Sequence, residues 1–467
     1  MSAQRESSED WSGRTLHFVA IGGAGMSGLA LVAQSLGARV SGSDRATSSY
    51  LERVLAAGIE ARVGHDAGAV PADAELVVSS AVPEDNPELV AARERGQRIL
   101  HRAELLAEIC SLRRLIAIAG AHGKTTTAGM VVHALRALGA DPAFLLGGEL
   151  PGAGPDGGPA NAGWGEGEWL VAEADESDGS FLRLRPEVAA VTNVELDHHA
   201  HWSSTAELTD AFGRFCEPAR GLALPASGEL DSLAVAPEPG SAAPAVRVVG
   251  FDAERPGPAL RLEVPGEHNL LNARAALAAL DLAGVDLDGA ARALASFPGM
   301  ARRLELKGTR GGARVYDDYA HHPTEIAAAL AALRGERPRR LIAVFQPHLY
   351  SRTRALGRRF GAALTAADVI GLLEVYPARE EATGELAGVS GRWIAEAAAD
   401  HAPGRRVLWL RDFDVAERAL APRLRDGDVL VTLGAGDVFE LADRLVDGGA
   451  TAAGAAGAPV ADEPGTG

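Results

Sequence analysis

Residues 115–139, "LIAIAGAHGKTTTAGMVVHALRALG", constrain this chain more than any other stretch. An apolar run leads into Gly120-Ala121-His122-Gly123-Lys124-Thr125-Thr126. Apolar residues then recur at helical spacing (Met130, Val131, Ala134, Leu135, Leu138) until Gly139 stops the pattern. A buried strand turning sharply into a helix is the conformation that fits. Such a turn aims successive backbone N–H groups and the helix N-terminus at one point, where an anion is stabilised. A lysine can then reach the terminal phosphates of a nucleotide, and a threonine hydroxyl can take Mg²⁺. The strict G-x-x-x-x-G-K-[ST] pattern would need glycine at Ile118, so this loop is shorter than the usual one. Composition sharpens the point: of 45 Lys plus Arg, only Lys124 and Lys307 are lysines. A chain that otherwise takes its positive charge from arginine keeps lysine at the loop.

A second glycine turn lies upstream. Gly23-Ala24-Gly25-Met26-Ser27-Gly28 follows the apolar run through Leu16, Phe18, Val19 and Ile21 and precedes Leu29, Val32, Ala33 and Leu36. Asp44 closes the next apparent strand, where a dinucleotide fold keeps its ribose-binding acid. By fingerprint alone this predicts NAD binding. The glycine turn can hold any diphosphate, however, and a separate nucleoside-triphosphate loop makes redox chemistry the weaker reading.

Short apolar runs ("LHFVAIG", "ARVSGSD", "ELVVSS", "QRIL"; later "RLIAVFQ", "DVIGLLEVY", "RVLWL", "DVLVTLGAG") alternate with helical stretches throughout. Such alternation predicts an α/β chain with parallel sheets covered on both faces. Composition shifts suggest segments at 14–110, 111–300 and 301–447, with a disordered tail over 448–467. Two Gly/Pro-rich runs, "GGELPGAGPDGGPANAGWGEG" and "LPASGELDSLAVAPEPGSAAP", read as surface loops. A net charge of −18 opposes general nucleic-acid binding. The polar, acidic start lacks a secretory h-region, and no run approaches ~20 uninterrupted apolar residues, so neither export nor membrane insertion is expected. Two cysteines, Cys110 and Cys216, fit a reducing cytoplasm.

Acids and histidines gather at two predicted strand ends: Glu173, Asp175, Glu176 and Asp178 in "EWLVAEADESDGSFL", and Glu195, Asp197, His198, His199 and His201, with Asn193, in "VAAVTNVELDHHAHW". In a parallel sheet both should share the edge that carries the phosphate loop. Hard oxygen donors there suit Mg²⁺. A zinc site at the histidines would lack thiolate partners.

These motifs, with "GEHNLLNARAAL", "FPGMARRLE", "YDDYAHHPTEI", "FQPHLYSRTR" and "LLEVYPARE", occur in an order that resembles the Mur ligases of peptidoglycan precursor synthesis, over about residues 14–447. The resemblance implies three domains: a Rossmann-like UDP-sugar domain (14–110), a P-loop-type central ATPase domain (111–300) and a Rossmann-like C-terminal domain (301–447). It implies ATP and Mg²⁺ as cofactors and UDP-N-acetylmuramate and L-alanine as substrates, joined through an acyl phosphate. The chain is expected to be a cytoplasmic monomer or homodimer with no nucleic acid and no membrane insertion. Gly23, Ala24, Gly25, Met26, Ser27, Gly28 and Asp44 would then hold the UDP-sugar. Gly120 to Thr126, Asn269, Asn272, Arg302 and Asp318 would hold ATP, with His321 lining the phosphate end. Lys124, Glu173 and His198 would be catalytic, and Thr125, Glu173 and His198 would take Mg²⁺. His348, Arg352, Arg354 and Arg379 would meet the amino acid. Ala121 stands where the family usually has threonine, and no lysine occurs between 124 and 307 to be carbamylated in the central metal site. Rival readings are a recycling ligase that attaches a whole tripeptide, a NAD-dependent oxidoreductase that would leave Lys124 idle, and a non-catalytic nucleotide-binding regulator.

Overall fold

The computed structural model describes residues 11–196, 202–234, 246–254, 257–378 and 380–455. It divides into two compact units, Met1–Glu263 with His268–Met300, and Val264–Glu267 with Ala301–Gly467. Three sheets carry the α/β architecture, two in the first unit and one in the second.

The first sheet holds β1 (Thr15–Val19), β2 (Arg39–Asp44), β3 (Glu60–Val63), β4 (Glu75–Val78) and β5 (Ile99–His101) in the order β3-β2-β1-β4-β5. All its pairings are parallel, and the order reverses beside β1, where an open α/β sheet forms its ligand crevice. Every residue of β1 is buried, as expected of a strand covered on both faces. The glycine turn leaves its end and enters helix Ala24–Ser35.

The second sheet holds β6 (Arg114–Ala119), β7 (Ala143–Leu150), β8 (Ala160–Gly163), β9 (Trp169–Glu173), β10 (Val188–Val191), β11 (Gly221–Pro225) and β12 (Arg247–Phe251). Its order is β12-β11-β10-β6-β9-β7-β8, so β6 lies between the two strands that end in acids. The lysine loop therefore emerges between them. β8 corrects the sequence reading, because Ala160, Asn161 and Ala162, inside a run read as surface loop, form a buried antiparallel edge strand. The reason is tertiary. Helix Ala24–Ser35 lies on β7 and β8, and a Cβ on Gly28 would meet Ala162 Cβ at 3.2 Å, Asn161 Nδ2 at 3.3 Å and Leu145 Cδ2 at 3.4 Å. One continuous apolar core thus runs from Phe18 and Leu29 through Leu145 and Ala162 to Phe181, Phe212 and Phe215.

The second unit holds β13 (Glu305–Arg310), β14 (Ala313–Asp318), β15 (Arg340–Phe345), β16 (Val369–Leu373), β17 (Arg406–Arg411) and β18 (Asp428–Leu433). The order is β13-β14-β18-β15-β16-β17, parallel except for the β13–β14 hairpin. Its final helix, Phe439–Ala455, continues into the segment expected to be a disordered tail, of which 456–467 lie outside the described residues.

Candidate functional site

The lysine loop owes its shape to two glycines. Gly120 sits at φ +128°, and a Cβ there would fall 2.1 Å from Thr192 Oγ1 and 2.9 Å from Asn193 O. Gly123, at φ +84°, would place a Cβ 2.4 Å from Asn272 Oδ1. Both positions are open only to glycine, by conformation and by space. The residues crowding Gly120 also brace the loop. Asn193 Oδ1 accepts the His122 N–H at 3.0 Å, Asn193 Nδ2 donates to His122 O at 2.9 Å, and Thr192 Oγ1 donates to the same carbonyl at 2.6 Å. His122 Nε2 lies 3.0 Å from Glu195 Oε2. Helix Lys124–Ala137 begins here without a side-chain cap and without an acid in its first turn. Its N-terminal dipole is left facing outward for an anion.

The side chains that carry charge converge on this turn. Lys124 Nζ donates to Gly120 O at 2.6 Å and to Glu176 Oε2 at 2.9 Å. Burial pulls the Lys124 pKa down, but the carboxylates of Glu176, Asp175 and Glu173 outweigh it and hold the ammonium above its ordinary value. Burial pushes the Glu176 carboxyl up, with Lys124 pulling the other way. Thr125 Oγ1 donates to both oxygens of Glu173, at 3.0 and 2.9 Å, and Gly147 N–H donates to Glu173 Oε2 at 2.8 Å. A hydroxyl and a carboxylate sharing one point beside a phosphate cradle form a donor set that fits Mg²⁺. Asn269 and Asn272 are buried and joined at 3.3 Å, with Asn272 covering Gly123. Neither amide faces solvent.

The first turn is built differently. Gly22 N–H donates to Asp44 Oδ2 at 2.9 Å, Ala46 N–H to Asp44 Oδ1 at 3.3 Å, and Ser48 Oγ to Gly22 O at 2.9 Å. Asp44 thus pins the turn as well as standing at the end of β2. Ala24 O accepts from Asn161 Nδ2 at 2.7 Å and from Ser27 Oγ at 3.1 Å, while Met26, Ser27 and Gly28 are buried. Gly23 and Gly25 have no left-handed φ.

In the second unit, Arg302 is tied down: Nε donates to Asp317 Oδ2 at 3.0 Å and Nη2 to Gly434 O at 2.7 Å. Buried Asp318 accepts Leu304 N–H at 2.7 Å and Ala320 N–H at 2.8 Å, and burial pushes its pKa up to about 6. His321, His348 and Tyr376 form an aromatic run, with ring centroids 6.3 and 5.8 Å apart. Arg352 lies half-buried in helix Tyr350–Leu364, whereas Arg354 points outward to Glu385 at 2.6 Å. His198, His199, His201 and Arg379 lie outside the described residues.

Sequence reasoning passed over Arg102. It opens helix Arg102–Ser111 and reaches Asp178 Oδ2 at 2.8 Å, with Nη1 3.6 Å from where a Cβ on Gly25 would sit. The local signal, His101 and Glu104 around it, is a capping box and reads as helix initiation alone.

Comparison with known proteins matches residues 15–114 to the model of the Mur ligase family, catalytic domain, and residues 302–436 to that of the Mur ligase, glutamate ligase domain. The UDP-N-acetylmuramate–L-alanine ligase of Kineococcus radiotolerans is 46% identical over 92% of this chain and 95% of its own length. The enzyme of the same name from Renibacterium salmoninarum is 43% identical over 94% and 96%. Among solved structures, the UDP-N-acetylmuramate–alanine ligase of Thermotoga maritima superposes with a TM-score of 0.79 at 27% identity, over 94% of this chain and 99% of that one. A murein peptide ligase from Psychrobacter arcticus shares the fold, with a TM-score of 0.66 at 23% identity over 93% and 98%.

Proposed function

This chain belongs to the Mur ligase family, and from that premise we propose that it joins L-alanine to the lactyl carboxylate of UDP-N-acetylmuramate at the expense of ATP. One observation carries the reading. The ammonium of Lys124, the hydroxyl of Thr125 and the carboxylate of Glu173 are gathered at a single glycine-shaped turn, in a chain whose relatives of that name align over nearly its whole length.

A free carboxylate is a poor acyl donor, because oxide would have to leave. Attack of a lactyl oxygen on the γ-phosphorus of ATP breaks the bond to the bridging oxygen, releases ADP and gives an acyl phosphate. The alanine amine then attacks the acyl carbon; inorganic phosphate leaves with the electron pair of the C–O bond, and the nitrogen gives up one proton to solvent or a neighbouring base, keeping the other as the amide N–H. The chain contributes positioning and charge neutralisation around the moving phosphoryl group. In this reading Lys124 neutralises the β- and γ-phosphates against the amides of Gly120 to Thr126. Asn269 and Asn272 flank the nucleotide. The turn from Gly23 to Gly28 with Asp44 holds the UDP moiety. Thr125, Glu173 and His198 would hold Mg²⁺, which supplies further neutralisation of phosphate charge. From the second unit, Arg302, Asp318 and His321 are assigned to the nucleotide, and His348, Arg352, Arg354 and Arg379 to the amino acid. A planar guanidinium suits the alanine carboxylate; Arg352 is the better placed of the two arginines described, because Arg354 is spent on a surface pair. Among the described residues no helix is long and apolar enough to cross a membrane; a cytoplasmic location is part of the proposal, supported by the reaction's dependence on ATP.

The test is phosphate release from ATP with Mg²⁺ and UDP-N-acetylmuramate, comparing L-alanine, glycine, L-serine and the stem tripeptide. Release with L-alanine is the expected result. Release with the tripeptide alone would move the assignment to the recycling ligase, and release with none would overturn it.

A further inference from the structure

The acidic loop after β9 does more than supply Glu173. It engages the cation of each glycine turn with a different carboxylate. Lys124 Nζ has three hydrogens, and they go to Gly120 O at 2.6 Å, Ala121 O at 3.4 Å and Glu176 Oε2 at 2.9 Å. The Glu176 side chain is only 3% exposed. Two residues on, Asp178 Oδ2 accepts Arg102 Nη2 at 2.8 Å, and Asp175 stands 3.8 Å from the same nitrogen. Arg102 lies against the first turn of helix Ala24–Ser35, which has neither a side-chain cap nor an acid of its own in that turn.

The loop is held firmly enough to keep both carboxylates in place. Gly179 N–H donates to Glu176 O at 3.2 Å, Trp202 Nε1 to the same oxygen at 2.9 Å, and Ser180 N–H to Asp178 Oδ1 at 3.0 Å. Phe181, directly after it, stacks on Phe215 at 5.2 Å in the core.

Resting on the substrate reading above, we propose that Arg102 is a further binding residue for the UDP-sugar diphosphate, and that Asp178 and Glu176 are positioning residues, internal anions that hold Arg102 and Lys124 where ligand phosphates will take them over. Each ligand then competes with one carboxylate: the diphosphate with Asp178, and the ATP phosphates with Glu176. Removing a competing charge should therefore tighten binding at its own turn and leave the other unchanged. A purely structural ion pair predicts the opposite, since breaking it loosens the site.

Isothermal titration of the full chain with Mg-ADP and, separately, with UDP-N-acetylmuramate decides between them. Glu176→Gln should tighten Mg-ADP by about threefold or more and leave the UDP-sugar within about twofold; Glu176→Asp, which keeps the charge, should return ADP affinity toward wild type. Asp178→Asn should tighten the UDP-sugar by a similar factor without changing ADP, and Arg102→Met should weaken the UDP-sugar about tenfold with ADP retained. A misfolded variant cannot mimic a selective gain, and ADP binding reports that Arg102→Met is folded. Unchanged or weaker affinity in both carboxamide variants would overturn the proposal, as would normal UDP-sugar binding by Arg102→Met. Wild-type chain that binds Mg-ADP but not UDP-N-acetylmuramate would instead overturn the substrate reading, and the role of Arg102 with it; the Glu176 arm would still be decided by ADP alone.

Discussion

The two glycine turns follow the same local grammar of buried strand, tight turn and helix, yet they solve different problems. Around Lys124 the glycines are conformational necessities: both have left-handed φ and both are crowded by residues far along the chain, Thr192 and Asn272. Cation, hydroxyl and carboxylate all meet within that turn. Around Gly25 the turn itself offers backbone alone. Its third glycine, Gly28, serves the packing of a helix onto the second sheet, and its nearest cation, Arg102, is imported from another helix. A backbone cradle is indifferent to which diphosphate it receives. The side chains around it decide, and that is why the first fingerprint could be read as NAD while the second could hardly be misread.

The sharpest way to break this comparison is Lys124→Ala. Loss of charge-assisted contacts worth roughly 1.5–3 kcal/mol each should slow turnover at least about a hundredfold, while UDP-sugar affinity stays within about twofold. Loss of both together would mean that the turns are not independent in charge. Next comes the same substitution made in each turn. Gly120→Ala forces a Cβ to 2.1 Å from Thr192 Oγ1 at φ +128°, so activity should fall about tenfold and the melting temperature with it, for a strain of roughly 1–3 kcal/mol. Gly25→Ala meets only Arg102 Nη1 at 3.6 Å, and should raise the KM for the UDP-sugar no more than about threefold. Equal effects in a side-by-side assay would erase the distinction. Glu173→Ala sharpens it from the metal side: the Mg²⁺ concentration for half-maximal rate should rise about tenfold, and an unchanged Mg²⁺ titration would remove Glu173 from the metal site.

What was legible in the sequence follows the same division. The lysine loop is built from contiguous residues, so spacing alone gave its glycines, its lysine and its threonine. Glu173 was legible because parallel strands deliver their C-terminal residues to one edge, and β6 does lie between β9 and β10. The repeated apolar runs located β1, β4, β15, β16 and β18, since buried parallel strands read as continuous apolar segments, and they also marked β2, β5 and the more exposed edge strand β17. Contacts across long sequence distances were not legible. Arg102 and Asp178 are 76 residues apart, and the motif around Arg102 already had a sufficient local explanation as a helix start. β8 was hidden because Gly and Pro around "ANAG" signal a loop, while its burial comes from a helix more than a hundred residues earlier. Arg354 was indistinguishable from Arg352 by sequence, and only the fold shows it turned to Glu385 at the surface.

The smallest expected effect tests the two turns through acid–base linkage. Burial raises the Glu176 carboxyl above its ordinary value of 4.5, so between that value and its folded-state pKa the native chain binds more protons than the unfolded one. Stability contributed there is present at low pH and is lost as pH rises through the window. Asp178 has the opposite sign. Burial tends to raise its pKa, but hydrogen bonds from Ser180 and the charge of Arg102 more than offset this and hold it below 3.8. Its contribution is present above the unfolded value and is lost as pH falls toward the folded one. Melting curves from pH 3 to 6, taken as wild type minus variant, should therefore slope downward with pH for Glu176→Gln and upward for Asp178→Asn. Parallel slopes would show that the two carboxylates, two residues apart in one loop, sit in the same electrostatic environment, and that the contrast between the turns does not extend to the acids that face them.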